Sequence, residues 1–92
     1  MKMKRYLVLA LLAAVLAACS SAPKEDGTVR EIKNQAAEYG EYGNRYYLAA
    51  DYDQALKFFS LALEMNLSVD NTPGIVESHN SLGKVYLRTG EY

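Results

Sequence analysis

Hydrophobic positions along the chain follow two different patterns. The first is an unbroken run. After Met1-Lys2-Met3-Lys4-Arg5, which carries three positive charges, residues Tyr6 to Ala18 are apolar without a single charge. At 13 residues the run is shorter than the ~20 that a spanning helix needs. It closes on Ala17 and Ala18, small enough for a signal peptidase pocket. This layout predicts an export signal over residues 1–18, cut before Cys19.

The second pattern is periodic. Thr28-Val29-Arg30-Glu31 reads as a capping box, in which a threonine oxygen and a glutamate side chain satisfy free backbone donors at a helix start. Val29, Ile32, Ala36, Tyr39, Gly43 and Tyr46 then recur at three and four residues, one apolar stripe on a helix that fades near Ala49 or Ala50. Asp51-Tyr52-Asp53-Gln54 offers a second cap, followed by the stripe Tyr52, Ala55, Leu56, Phe59, Ala62 and Leu63. The short connection makes the two helices antiparallel neighbours. From Asn66 to Gly74 the pattern breaks into turn chemistry. Thr72-Pro73 is expected to cap and open a third helix, with Val76, Leu82, Val85 and Tyr86 on its apolar side and Gly90 ending it. No stretch alternates as a strand does, so the fold class is all-α.

Cleavage changes the composition. Without Lys2, Lys4 and Arg5, seven basic residues face eleven acidic ones, a formal charge of about −4 over the remaining 74 residues. This acidic balance argues against nucleic acid as a partner. Residues 19–27 are small, polar or helix-breaking and are expected to form a tether, leaving 28–92 as the helical region. Cys19 is the only cysteine, which excludes an internal disulfide, and no Cys/His cluster points to a metal.

Leu16-Ala17-Ala18-Cys19 resembles the lipobox of bacterial lipoproteins. The resemblance implies that the Cys19 thiol receives a diacylglycerol and its freed amine a further acyl chain. Each buried methylene contributes ~0.8 kcal/mol, so two or three chains hold firmly where one holds marginally. Ser20, in place of aspartate, is similar to lipoproteins sorted to the outer membrane of Gram-negative bacteria, facing the periplasm.

The chain also repeats itself. An offset of 40 residues superposes Gly43 on Gly83, Tyr46 on Tyr86 and Tyr52 on Tyr92, with Tyr42 on Leu82, Ala50 on Gly90 and Asp51 on Glu91 between them. The series Tyr42-Gly43, Tyr46, Ala50, Tyr52, Ala55, Phe59 and Ala62 resembles the tetratricopeptide repeat, over residues 36–92. That resemblance implies an α-solenoid of antiparallel helix pairs, with Gly43 and Ala55 permitting close approach and Tyr46, Tyr52 and Phe59 filling the space between. The period of 40 exceeds the ~34 of that family, and the extra residues are expected in a longer loop over Asn66 to Gly74. Leu67 stands where the family often has proline.

About one and a half repeats are present, fewer than the roughly three that usually stabilise such an array. The third helix should therefore leave part of Leu82, Val85 and Tyr86 uncovered, open to self-association. The other expectation is an amino-terminal fragment of a longer repeat lipoprotein, for example one acting in pilus or envelope assembly.

Catalytic chemistry finds no support. His79 is the only histidine and aligns with Tyr39, and the serines at 60, 68, 78 and 81 lack a nucleophile elbow. Gly40 and Gly43 lack the strand, turn and helix of a phosphate loop. No catalytic residue, metal ligand or cofactor is expected, and the chain reads as a non-enzyme. Most of the seven tyrosines after the signal fall on repeat core positions, and Tyr47 does not. In the tetratricopeptide family, ligands usually occupy the concave groove lined by the first helix of each pair. Carried over, this places Gly40, Asn44 and Tyr47 on one inner face and Asn80, Lys84 and Leu87 on the next. Asn44, Asn80 and Lys84 would hydrogen-bond a peptide backbone or carboxylate, with Tyr47 as an apolar wall. The resemblance thus implies a membrane-anchored scaffold for a protein or peptide partner.

Overall fold

The computed structural model describes residues 25–91. The export signal, Cys19 and the tether up to Lys24 lie outside the described residues, as does Tyr92. Three helices follow one another: α1 (Gly27–Leu48), α2 (Tyr52–Ser68) and α3 (Thr72–Thr89). No strand occurs among the described residues, and no helix there is long and apolar enough to cross a membrane. The all-α arrangement of antiparallel neighbours matches expectation.

Local chemistry sets each boundary. Asp26, not Thr28, caps α1: its carboxylate accepts the Thr28 N–H at 3.0 Å, so the helix begins at Gly27, ahead of the capping box. A carboxylate is a better acceptor than a hydroxyl, and its charge suits the positive end of the helix. An ion pair between Lys33 and Glu25 braces the same turn. At α2 the expected cap forms, with Asp51 accepting the Gln54 N–H at 3.3 Å. At α3 the capping position falls to Asn71, and Thr72 is already the first helical residue.

All three helices close alike. The residues at 50, 70 and 90 adopt positive φ, 58° at Ala50, 51° at Asp70 and 76° at Gly90. The next N–H then reaches back to close each end, Asp51 to the Tyr46 carbonyl at 2.9 Å, Asn71 to Asn66 at 2.9 Å and Glu91 to Tyr86 at 3.1 Å. This compact ending corrects the expected long loop. Within Asn66 to Gly74 only residues 69–71 lie outside helix. The extra length of the 40-residue period sits in the helices, not in the connection.

Burial centres on α2, which lies between its neighbours. Ala55 and Phe59 form a cluster with Leu82 and Val85 of α3, while Gly43 of α1 lies against Phe59 and Ala36 of α1 is buried as well. Leu82 at 9% exposure and Val85 at 0% correct the expectation that both would be left partly uncovered. One helix suffices to shield them because they point back at α2. The exposed large hydrophobic residues of α3 are Val76, Tyr86 and Leu87, at 53%, 37% and 70%, so of the three residues expected to be left partly uncovered only Tyr86 is.

On the α1–α2 side away from α3, an aromatic cluster closes the hairpin. Phe58 stacks on Tyr46 with ring centres 5.4 Å apart and meets Tyr42 edge-on at 5.6 Å. The Tyr42 hydroxyl donates to Glu38 Oε1 at 2.7 Å, and this bond to a carboxylate raises the phenol above its ordinary pKa.

Candidate peptide groove

Between α1 and α3 lies a groove of about 480 Å³ whose floor is Phe59 and Ala62 of α2. Its α1 wall follows the helical stripe Lys33, Ala37, Gly40 and Asn44, and its α3 wall the stripe Gly74, Glu77, Ser81 and Lys84. Polar groups therefore stand along both rims above an apolar base, the composition typical of a ligand site.

One end is shaped by a buried polar knot. Asn66 and Ser78 are each only 5% exposed. Asn66 Nδ2 donates to Ser78 Oγ at 3.4 Å, while Asn71 Nδ2 donates to Asn66 Oδ1 at 2.8 Å. Gly74 makes room, since a Cβ there would lie 2.3 Å from Asn66 Oδ1. Satisfied buried amides rigidify their surroundings, and this knot joins the end of α2 to the start of α3. It holds the α3 wall of the groove against its α2 floor.

The other end is set by Tyr47. Its ring packs edge-on against Tyr52 with centres 5.8 Å apart and rests on the α2–α3 core. Lys84 Nζ lies 5.5 Å from the Tyr47 ring centre, and Arg88 Nε donates to the Tyr47 hydroxyl at 3.3 Å. That bond holds the guanidinium still more firmly protonated. Tyr47 is thus a half-buried tie between α1 and α3 and does not line the groove, although the sequence placed it outside the core.

Of the four residues expected to meet a partner, Asn44 and Lys84 come together on the groove. Asn80 is exposed but points roughly a sixth of a turn away from the Glu77–Lys84 stripe, given ~100° per residue. It belongs with Val76, Gly83 and Leu87 on the uncovered side of α3. Lys33, Glu41, Glu77 and Ser81 line the groove and were not anticipated. Extending the Gly40–Asn44 and Lys84 stripes by whole helical turns would have found them. His79 is exposed on α3, and the described residues hold no group of three or more His, Cys, Asp or Glu that could bind a metal.

Over 74 residues the chain is similar to serine/threonine-protein phosphatase 5, at 31% identity for the Mus musculus protein and 34% for the Rattus norvegicus protein. The similarity covers 80% of this chain but only 14% of either relative, so the chain spans a small part of their length. No solved structure matches the chain. Residues 3–20 match the prokaryotic membrane lipoprotein lipid attachment site, a stretch that contains Cys19, the only cysteine. The chain thus carries the attachment site of a lipid-anchored envelope lipoprotein.

Proposed function

We propose that the protein is a tetratricopeptide-like scaffold, lipidated on Cys19, that holds an extended segment of a protein partner in the α1–α3 groove. The groove carries the reading: an apolar floor of Phe59 and Ala62 lies below Asn44 and Lys84, and Lys84 has no carboxylate partner among the described residues. The Asn44 amide can both donate to and accept from a peptide backbone, and the Lys84 ammonium attracts a carboxylate. Binding without catalysis is the role assigned, with no chemistry given to His79. Ser20 after the anchor favours the outer membrane, periplasmic side.

A photoreactive residue at position 44 is the direct test, with one at Lys57, on the exposed back of α2, as the control. Position 44 should capture a defined periplasmic protein, and Asn44→Ala with Lys84→Ala should reduce its recovery. Equal capture from both positions would sink the groove assignment. For the anchor, radiolabelled fatty acid should enter the wild type and not Cys19→Ser. Label in neither protein refutes lipidation at that residue.

A further inference from the structure

Tyr42 and Leu82 occupy the same repeat position, yet only Leu82 is covered by a preceding helix. Leu82 packs against α2 and is 9% exposed. Tyr42 stands on the side of the α1–α2 hairpin away from α3, where no further helix arrives among the described residues. Tyr39, Tyr42 and Tyr46 recur there at three and four residues on α1, and Phe58, Leu61 and Met65 at the same spacing on α2. Tyr46 is 38% exposed and the other five are half-buried. Rings meet across the hairpin, with Tyr39 as well as Tyr42 and Tyr46 about one ring-width from Phe58, so the two rows form one continuous strip. Gln35 and Gln54 lie on the same two rows, and neither carries a charge.

Repeats stacked after α3 would add to the opposite side of the molecule and leave this strip bare. On its own side, only Ser20 to Asp26 lie between Cys19, the single cysteine of the attachment site, and the start of α1. Those residues are too few for a covering helix and the connection that would return it to α1.

We propose that this aromatic strip rests on the lipid surface to which Cys19 is attached. Fully extended, the tether reaches no more than about 25 Å, so it keeps α1 beside the bilayer. Tyrosine suits that boundary, because its ring enters the interface while its hydroxyl stays among the headgroups. The charges flanking the strip are Glu31, Glu38 and Arg45 on α1 with Lys57 and Glu64 on α2, close to balance. Apolar contact, and not attraction to anionic lipid, therefore holds the face down. Anchoring makes a modest contact area sufficient, since the tether presents the strip to the membrane at high effective concentration. The groove lies on the α3 side of α1 and stays open to a partner. The docking rests on lipidation at Cys19 and is independent of what the groove binds.

Fluorescence quenching tests this on the full, lipidated chain in vesicles of phosphatidylethanolamine and phosphatidylglycerol that contain a nitroxide-bearing lipid. Cys19 is blocked by its own lipid, so Gln35→Cys or Ala37→Cys supplies the one thiol that takes a fluorophore. Both positions are exposed and share a turn of α1, equally far from the anchor, but point ~200° apart around the helix. The label at position 35 should be quenched by the nitroxide and the label at position 37 should not. Leu61→Glu should abolish the quenching at position 35. Leu61 is half-buried, so circular dichroism checks the fold of that variant. Gln54→Glu adds the same charge to the strip without removing an apolar side chain and should weaken the quenching. Equal quenching at positions 35 and 37, or quenching at 35 that neither charge lowers, would overturn the docking while flotation with the vesicles shows the anchor intact. A label at 35 that is shielded from aqueous iodide yet untouched by the nitroxide would also overturn it, with a protein covering the strip instead. Failure of the chain to float with the vesicles would overturn the anchor, and the docking with it.

Discussion

The Cβ that Gly43 lacks would sit 2.6 Å from the Phe59 ring, closer than carbon atoms can approach. Phe59 is 3% exposed and cannot swing aside. Gly43→Ala should therefore destabilise the fold, because overpacking costs about 1–3 kcal/mol against a helix-propensity gain of about 1 kcal/mol. Gly83 occupies the same repeat position with open space around it. Gly83→Ala should stabilise by about 1 kcal/mol. Urea unfolding at low protein concentration reads both, and the same sign for both would mean that the two glycines do not differ in packing.

Helix endings offer a second pair of opposite effects. Ala50 holds φ 58° where Gly90 holds 76°. An L-residue in this region costs about 1–2 kcal/mol, partly offset by the greater unfolded-state freedom of glycine. Ala50→Gly should then raise stability by about 0.5–1 kcal/mol and Gly90→Ala lower it by a similar amount. The thermal midpoint checks each change.

These two pairs also show what was legible in the sequence. The 40-residue offset aligns Ala50 with Gly90, and both close a helix with left-handed backbone. Gly43 is a close-packing position by the resemblance to the tetratricopeptide repeat, and the Phe59 ring bears that out. Asn66 and Ser78 were missed for a physical reason. Asn66 after an apolar stripe looks like the start of a loop, Ser78 stands in the third helix 12 residues on, and only the three-residue connection turns the two toward each other. Tyr47 was misplaced because a helical stripe shows which direction a side chain points, not whether a third helix arrives to meet it. Leu82 and Val85 were expected to be half bare on the assumption that they awaited a later helix, when they point back at α2. In the groove, Asn44 and Lys84 could be found by carrying over a family pattern. Asn80 could not be separated from them without the rotation of α3.

The Asn66 knot should behave as a unit. Asn66→Ala removes the acceptor of Asn71 and the donor to Ser78, leaving polar groups unpaired in a site only 5% exposed. An unsatisfied buried group costs about 1–3 kcal/mol. Combining Asn66→Ala with Ser78→Ala should cost less than the sum of the single changes, since the second removes a hydroxyl already stranded. Strict additivity in a double-mutant cycle would show that the two side chains do not interact.

Tyr42 provides a titration signal. Its bond to Glu38 favours the neutral phenol, so the folded pKa lies above the unfolded one. The stabilising effect is present in full below the ordinary tyrosine range and disappears as pH rises through the raised value. Replacing the carboxylate in Glu38→Gln should move this phenol's ionisation to lower pH. Ultraviolet difference titration against Tyr42→Phe isolates it, and an unchanged midpoint would remove Glu38 as the cause.

Tyr47 separates architecture from recognition. Tyr47→Phe loses the bond from Arg88, an exposed interaction, and should change stability by no more than about 1 kcal/mol. Tyr47→Ala also removes a ring packed on Tyr52 and the core, and with half of it buried the cost should be about 2–3 kcal/mol. Asn44→Ala and Lys84→Ala, both at exposed positions, should leave the unfolding midpoint nearly unchanged while weakening partner capture. If Tyr47→Phe instead abolished capture with stability intact, the hydroxyl would be contacting the partner directly, and its role as the α1–α3 tie would be secondary.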